Sequence, residues 1–347
     1  MSRPRTLFVA LMAAAALSLT ACSTGSADGD EAPDSKAVTE PDANAFPVTV
    51  EHAYGESTIE SEPQRVVTLG WTDQDTALSL GVVPIGATDI SWGGNEHGST
   101  PWFDAELEEL DGEQPERLSD ADGVPITEVA KLNPDLILAT NSGITQKDYD
   151  KLSKINGGTP VVAFPGDPWL TSWQDSLDLV GKALGRTAIA ADVKEQTEAA
   201  LAQAGEEHPQ IGGKSFIFAS LSTADMSKID YYTVADNRPL ILAETGMVNA
   251  PIIEELSAPG RFYGTLSADR AKELESDVFI TYAETEDDLA TFEQDPLLGQ
   301  IPGIASGHVL ASANQTDALG LSSPTPLSIP YAMEHFMPQV AKAVEGQ

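Results

Sequence analysis

The sequence predicts an α/β fold in two lobes, joined by a long helix, with a ligand cleft between them. Three observations lead there. Short β-branched or aliphatic runs alternate with amphipathic stretches in both halves of the chain, the pattern of parallel strands covered by helices. Between the halves, from Ser172 to about Ala204, lies a long stretch of helix-forming composition, interrupted near Gly185, with no strand signal. After the N-terminal segments roughly 300 residues remain, long for one hydrophobic core and comfortable for two.

Residues 1–21 read as a secretory signal. Arg3 and Arg5 precede the uncharged apolar run Leu7 to Leu19, which is too short to cross a bilayer that needs about 20 apolar residues. The run ends in Leu19-Thr20-Ala21-Cys22. That tetrapeptide resembles the bacterial lipobox, in which the cysteine is diacylated after cleavage on its N-terminal side. Two acyl chains anchor stably where one binds only reversibly, so Cys22 is the expected attachment to the cell membrane, on its extracytoplasmic face. It is also the only cysteine, which rules out an intramolecular disulfide, a zinc–thiolate site or a thiol nucleophile.

Residues 22–45 are rich in Ser, Gly, Ala, Pro and acids, with little that could form a core, and read as a disordered, self-repelling tether. The whole chain carries a formal net charge of −35, and losing Arg3 and Arg5 makes it more negative still. Such a surface repels nucleic acid and anionic headgroups and keeps the folded part in solution.

The first lobe is expected over 46–185. Arg65 to Leu69 reads as a strand, Asp73 to Leu80 as a helix and Val83 to Ala87 as a strand; the alternation continues with a helix near Ile126 to Leu132, a strand Asp135 to Ala139, a helix near Gln146 to Ile155 and a strand Pro160 to Phe164. Residues 186–207 form the connecting helix and 208–347 the second lobe. There Lys214 to Leu221 and Val278 to Thr281 read as strands, and Leu240 to Gly246, Ala268 to Leu274 and Ala332 to Val344 as helices. Pro125 to Leu138 and Leu266 to Ile280 echo each other as helix, tight turn and buried strand. This echo predicts lobes of related, Rossmann-like build with a cleft between them.

Four segments carry a family resemblance: Val50 to Gly55 with Glu62 to Asp75, Leu132 to Ala139, Gly181 to Arg186, and Asp295 to Val309. In order and spacing they resemble the substrate-binding lipoproteins of iron–siderophore ABC importers, the clamp type in which one helix joins two lobes. The resemblance extends from about Val48 to Val344. It implies a monomer that captures a ferric siderophore and delivers it to an ABC permease and its ATPase. It also implies that an acid on each lobe meets permease arginines. Asp269, in Ser267-Ala268-Asp269, matches the family's Ser-Ala-Glu; in the first lobe the matching position holds Thr127, and Glu128 lies one residue on.

A ferric siderophore is bulky, with apolar linkers around a polar metal core, so its site needs aromatic walls and a few convergent donors. Trp71 follows the first strand, where α/β sheets place their crevice. Trp92 sits in a Gly-rich loop and Trp102 follows Pro101, while Trp169 and Trp173, at the start of the helix pair, suit either the cleft or hinge packing. In the second lobe Tyr232 and Arg238 flank a loop-to-helix junction, and Arg261 and Tyr263 bracket Phe262. Arginine forks bind hydroxamate, catecholate or carboxylate oxygens. With no dense basic cluster, a neutral or cationic hydroxamate or mixed chelate is favoured over a triply anionic tris-catecholate.

The other classes have less support. His52, His97, His208, His308 and His335 show no paired ligand spacing, against direct capture of a bare transition metal. Cobalamin or haem could use His97 or Tyr263 as an axial donor, though nothing requires it. Hydrolase, zincin and phosphate-loop motifs are absent, so no catalysis and no resident cofactor are expected. A surface sensor would share the anchor but lack a permease partner.

Overall fold

The computed structural model describes residues 34–346; the signal segment, Cys22 and residues 23–33 lie outside them. The first lobe is organised by a five-stranded, all-parallel sheet in the order Glu116–Leu118, Gly86–Thr88, Val66–Thr68, Leu136–Ala139, Val161–Ala163. Its central strands are near-continuous aliphatic runs because both faces are covered: Val66, Val67, Leu136, Ile137, Leu138, Val161 and Val162 are all fully buried. Chain order runs outward in both directions from Val66–Thr68, so the direction of winding switches between that strand and Leu136–Ala139. Loops leaving the C-terminal ends of these two strands diverge there and open a crevice.

The expected strand Val83 to Ala87 is divided. Pro84 offers no amide hydrogen to a ladder, so Val82–Val83 pairs instead with Lys36–Ala37, and only Gly86–Thr88 joins the central sheet.

That pairing also corrects the expected tether over 22–45 in its described part. Residues 34–45 are bound to the first lobe as a strap: Ser35 N–H donates to Gln64 O at 2.6 Å, Lys36 Nζ reaches the carbonyls of Leu110 and Asp111, and Arg186 Nη2 donates to Thr39 O at 2.8 Å. The composition looked disordered because the strap contributes backbone groups and small polar side chains rather than apolar bulk. Its anchor is Arg186, only 1% exposed, whose guanidinium also pairs with Glu62 at 2.8 Å and donates to Leu184 O.

Ser172 caps the helix Trp173–Ala183 by accepting from Asp175 N–H, and Gly185 takes the left-handed conformation (φ +69°) that ends it. The connecting helix Thr187–Glu207 then runs for 21 residues, about 30 Å. Asp42 of the strap serves its N-terminus, accepting from Thr187 Oγ1 and from Ala188 N–H at 3.2 Å. Ala190, Thr197, Leu201 and Ala204 form its buried stripe, which packs against the helix Ser328–His335.

The second lobe holds a mixed sheet rather than a purely parallel one. Ser215–Ser220, Val278–Tyr282 and Val309–Ser312 are parallel, while Lys228–Tyr232 and Tyr263–Ser267 add antiparallel strands on the other side. Tyr232 therefore ends a strand and Tyr263 begins one. The segment Ala268–Glu273 forms 3₁₀ turns instead of an α-helix, a common outcome for a short connector. The terminal helix is two, Ser328–His335 and Met337–Val344, because Pro338 cannot donate within a continuous helix.

The internal echo has a common device behind it. Asp135, opening the strand beside Val66–Thr68, accepts from Gln64 N–H and Arg65 N–H, both at 2.8 Å. Asp277, opening the strand beside Ser215–Ser220, accepts from Ser215 N–H at 2.8 Å. Each acid fixes the register of two adjacent parallel strands at their entry.

Candidate ligand-binding cleft

Strand ends and helix starts of the two lobes converge on one cavity of about 350 Å³. From the first lobe come Trp71, Trp92, Asp120, Asn141 and Trp169; from the second, Asp236, Asn237, Arg238, Phe262, Leu319, Ser322 and Ser323. Every first-lobe member lies in a loop that follows a sheet strand, as the crevice rule requires.

Beneath these loops, Asp73 ties the crevice together. Its carboxylate accepts from Gly70 N–H and Thr140 N–H, both at 3.0 Å, and from Thr140 Oγ1, so the loops after Val66–Thr68 and Leu136–Ala139 are held by one side chain. Gly70 is needed for this approach, since a Cβ there would lie 2.3 Å from Asp73 Oδ2. Burial pushes the Asp73 carboxyl up to about 6, against the pull of the Thr140 and Gly70 hydrogen bonds.

The aromatic wall is built from separate loops. Trp71 Nε1 donates to Asp120 Oδ2 at 3.2 Å. Trp92 meets the edge of Tyr282 at 5.4 Å between ring centres, bringing the lobes together. Trp169 adopts φ +65° and lies over Gly143, where a Cβ would come within 2.5 Å of the indole nitrogen.

Arg238 is the cavity's cation, and its geometry is fixed on three sides. Nη1 donates to both oxygens of Asp236 at 2.9 and 2.8 Å, Nε donates to Tyr282 Oη at 2.6 Å, and the guanidinium carbon lies 4.0 Å from the Tyr232 ring centre. Asp236 also caps the helix Asn237–Glu244, accepting from Arg238 N–H at 2.9 Å. Burial pushes its carboxyl up and the charge of Arg238 opposes that shift. Arg238 Nη2 has no hydrogen-bond partner among the described residues and remains available as a donor.

Trp71, Trp92 and Arg238 are thus brought together, with Tyr232 behind Arg238 as its stacking support. Trp102 is elsewhere: it is 7% exposed, packs against Tyr331 and donates through Nε1 to Asp75 Oδ2 at 2.7 Å. Following Pro101 at a helix start, it turns inward rather than lying in a loop. Trp173 is core, while Trp169 is cavity wall. Arg261 and Tyr263 are exposed and outside the lining, whereas Phe262 between them, in the bend before the strand Tyr263–Ser267, lines it, its ring 4.9 Å from that of Tyr263. Glu128 and Asp269 are both exposed, one on each lobe.

Asp120, Asn141, Asp236 and Asn237 were missed from sequence. Asn141 follows a recognised strand closely enough to have been found by the crevice rule, and Asp236 carries an N-cap signature ahead of an apolar run. Asp120 had no such signal because the strand before it, Glu116–Leu118, was itself unrecognised. Among the described residues no group of three or more His, Cys, Asp or Glu side chains is arranged to hold a metal ion, and no helix is long and apolar enough to cross a membrane.

Known proteins supply the context for this geometry. The profile of the periplasmic binding protein family matches residues 66–316. The protein named "Probable siderophore-binding lipoprotein YfiY" of Bacillus subtilis (strain 168) is 32% identical over 182 residues, 52% of this chain and 48% of that one. The chain thus spans about half the length of the curated relatives it matches, or less. Among solved structures, the iron uptake ABC transporter substrate-binding protein PiaA from Streptococcus pneumoniae TIGR4 superposes with a TM-score of 0.77 at 34% identity, covering 86% of this chain and 100% of that one. PiaA in complex with ferrichrome gives 0.81 at 34% identity, over 86% and 99% of the two chains. A periplasmic solute binding protein from Mycobacterium smegmatis gives 0.72 at 29% identity, over 86% and 98%. With a profile match over most of its length and two lobes closing on one aromatic cleft, this chain belongs to the periplasmic binding protein family.

Proposed function

We propose that this protein captures an iron(III)–siderophore complex between its lobes outside the cell, tethered through Cys22, and delivers it to an ABC permease. The observation that carries the reading is the cleft itself: three tryptophans and Phe262 around Arg238, with Asn and Ser side chains as further polar partners. Such a lining suits a bulky chelate that keeps its own iron ligands and presents oxygens and apolar linkers to the protein. The similarity to PiaA in complex with ferrichrome supports a hydroxamate. So does the presence of a single arginine in the cavity lining, paired with Asp236, where a tris-catecholate would call for several cations.

The working parts are a first lobe from about residue 46 to 185, the connecting helix 186–207, and a second lobe from 208 to the C-terminus. A continuous helix between lobes resists hinge bending, so closure on the ligand is modest. Glu128 and Asp269, exposed on the two lobes, are the docking acids for the permease.

Titration of the purified protein with ferric trihydroxamates and with a ferric tris-catecholate, followed by tryptophan fluorescence, tests the reading. Quenching with retention of the chelate's visible band after desalting is expected for the hydroxamate. Tight binding of the tris-catecholate alone would overturn the hydroxamate assignment, and retention of no chelate would overturn the function.

A further inference from the structure

The charges lining the cleft do not cancel evenly. Asp236 and Arg238 close on each other as an ion pair in the second lobe, one nitrogen, Nη1, meeting both carboxylate oxygens. That leaves Asp120, in the first lobe, as the one charged side chain of the lining without an ionic partner among the described residues. Its Oδ2 accepts the Trp71 indole hydrogen at 3.2 Å, which aims the carboxylate while leaving Oδ1 without a partner among the described residues. Asp120 is also exposed, so a ligand can reach it without rearrangement.

Around that carboxylate the cavity offers faces that suit a cation. Trp71 is in direct contact with it, and Trp92, Trp169 and Phe262 line the same space; aromatic faces attract ammonium groups through their quadrupole. The strongly acidic chain as a whole raises the local concentration of cations further. Opposite, Arg238 Nη2 provides a donor for oxygen. The two lobes therefore present unlike ends to the ligand.

We infer that Asp120 determines specificity by receiving a cationic arm of the bound chelate, a primary ammonium carried outside the iron-binding groups, while Arg238 takes the chelate's oxygens. This rests on the siderophore reading above. A ligand carrying a negative arm in place of the ammonium meets repulsion at Asp120, and a neutral arm leaves the carboxylate solvated and gains nothing from it.

The test is a matched pair: the ferric complex of desferrioxamine B, with its free terminal ammonium, and the same chelate with that amine acetylated. In a fluorescence titration the protein should bind the ammonium form about fivefold more tightly at low salt, the upper range for a partly exposed ion pair. The ratio should shrink as salt screens it. Asp120→Asn should bring the ratio close to one, and Asp120→Glu should retain most of it. Equal affinities in the unmodified protein, or a ratio that survives in Asp120→Asn, would overturn the inference while leaving siderophore binding intact. An Asp120→Asn protein that bound neither chelate would make Asp120 a structural support for Trp71 and overturn it too. If the unmodified protein bound neither, the siderophore reading would fall and the inference with it.

Discussion

Replacing Asp75 by asparagine should flatten the dependence of stability on pH. Asp75 is 3% exposed where the C-terminal segment packs on the first lobe; its Oδ2 accepts from Trp102 Nε1 at 2.7 Å and Thr325 Oγ1 at 3.0 Å, and its Oδ1 has no partner among the described residues. Burial pushes its carboxyl up to about 7, against the pull of those two hydrogen bonds and the charge of Arg117. In the unfolded chain it titrates near ~3.9. A folded-state value above the unfolded one means that the contribution to stability is full below about pH 4 and is lost as pH rises through about 7. Between pH 5 and pH 8 the unfolded carboxyl is ionised throughout while the folded one must lose its proton, a linkage loss of about 3 kcal/mol. Asparagine is the neutral isostere: its oxygen can accept both bonds and it never ionises. Guanidinium unfolding at pH 5 and pH 8 should therefore show the unmodified protein losing about 3 kcal/mol more across the interval than Asp75→Asn, with the variant the more stable at pH 8. Asp73 shifts in the same direction but is common to both proteins and cancels. Parallel pH profiles, or a variant less stable at pH 8, would refute the reasoning.

Other perturbations follow from the same contacts. Arg238→Ala leaves Asp236 buried without its ionic partner and should cost about 3–5 kcal/mol in thermal unfolding along with chelate affinity; adding Asp236→Asn should restore much of the stability and none of the affinity. Arg186→Ala removes the buried anchor of the strap and should destabilise by about 3 kcal/mol, with limited proteolysis newly cutting between residues 34 and 45. Glu128→Ala and Asp269→Ala should leave capture in solution unchanged and reduce the stimulation of permease ATPase in liposomes; full stimulation by the double variant would remove both from the docking surface.

The first lobe was readable because each strand is a buried aliphatic run with both faces covered, so residue type alone reports position. Lys228–Tyr232 and Tyr263–Ser267 were not, since antiparallel strands with a wet face admit Lys, Asp, Gly, Thr and Ser. The cleft was legible where a tryptophan stood in a loop after a recognised strand, as at Trp71 and Trp92. It was obscured where tertiary packing decided, as at Trp102, whose indole found Asp75, and in Arg261-Phe262-Tyr263, where a bend before the strand turns the middle residue into the cavity. The strap escaped notice because what holds it belongs to a partner 147 residues away, Arg186.

Where the strap attaches also sets an orientation problem. It is bound beside Gln64, Arg65 and Val66, at the entry of the central strand, whereas the cleft opens at that strand's exit. Under the proposed attachment at Cys22, the pull would come from the end of the first lobe opposite the ligand. Residues 23–33 can span about 40 Å at full extension, close to the breadth of a globule of this size, roughly 50 Å across. If Cys22 is the anchor, deleting residues from 23–33 should spare capture in solution and impair hand-over to the permease, so that the length of this segment would matter to transport as well as to anchoring.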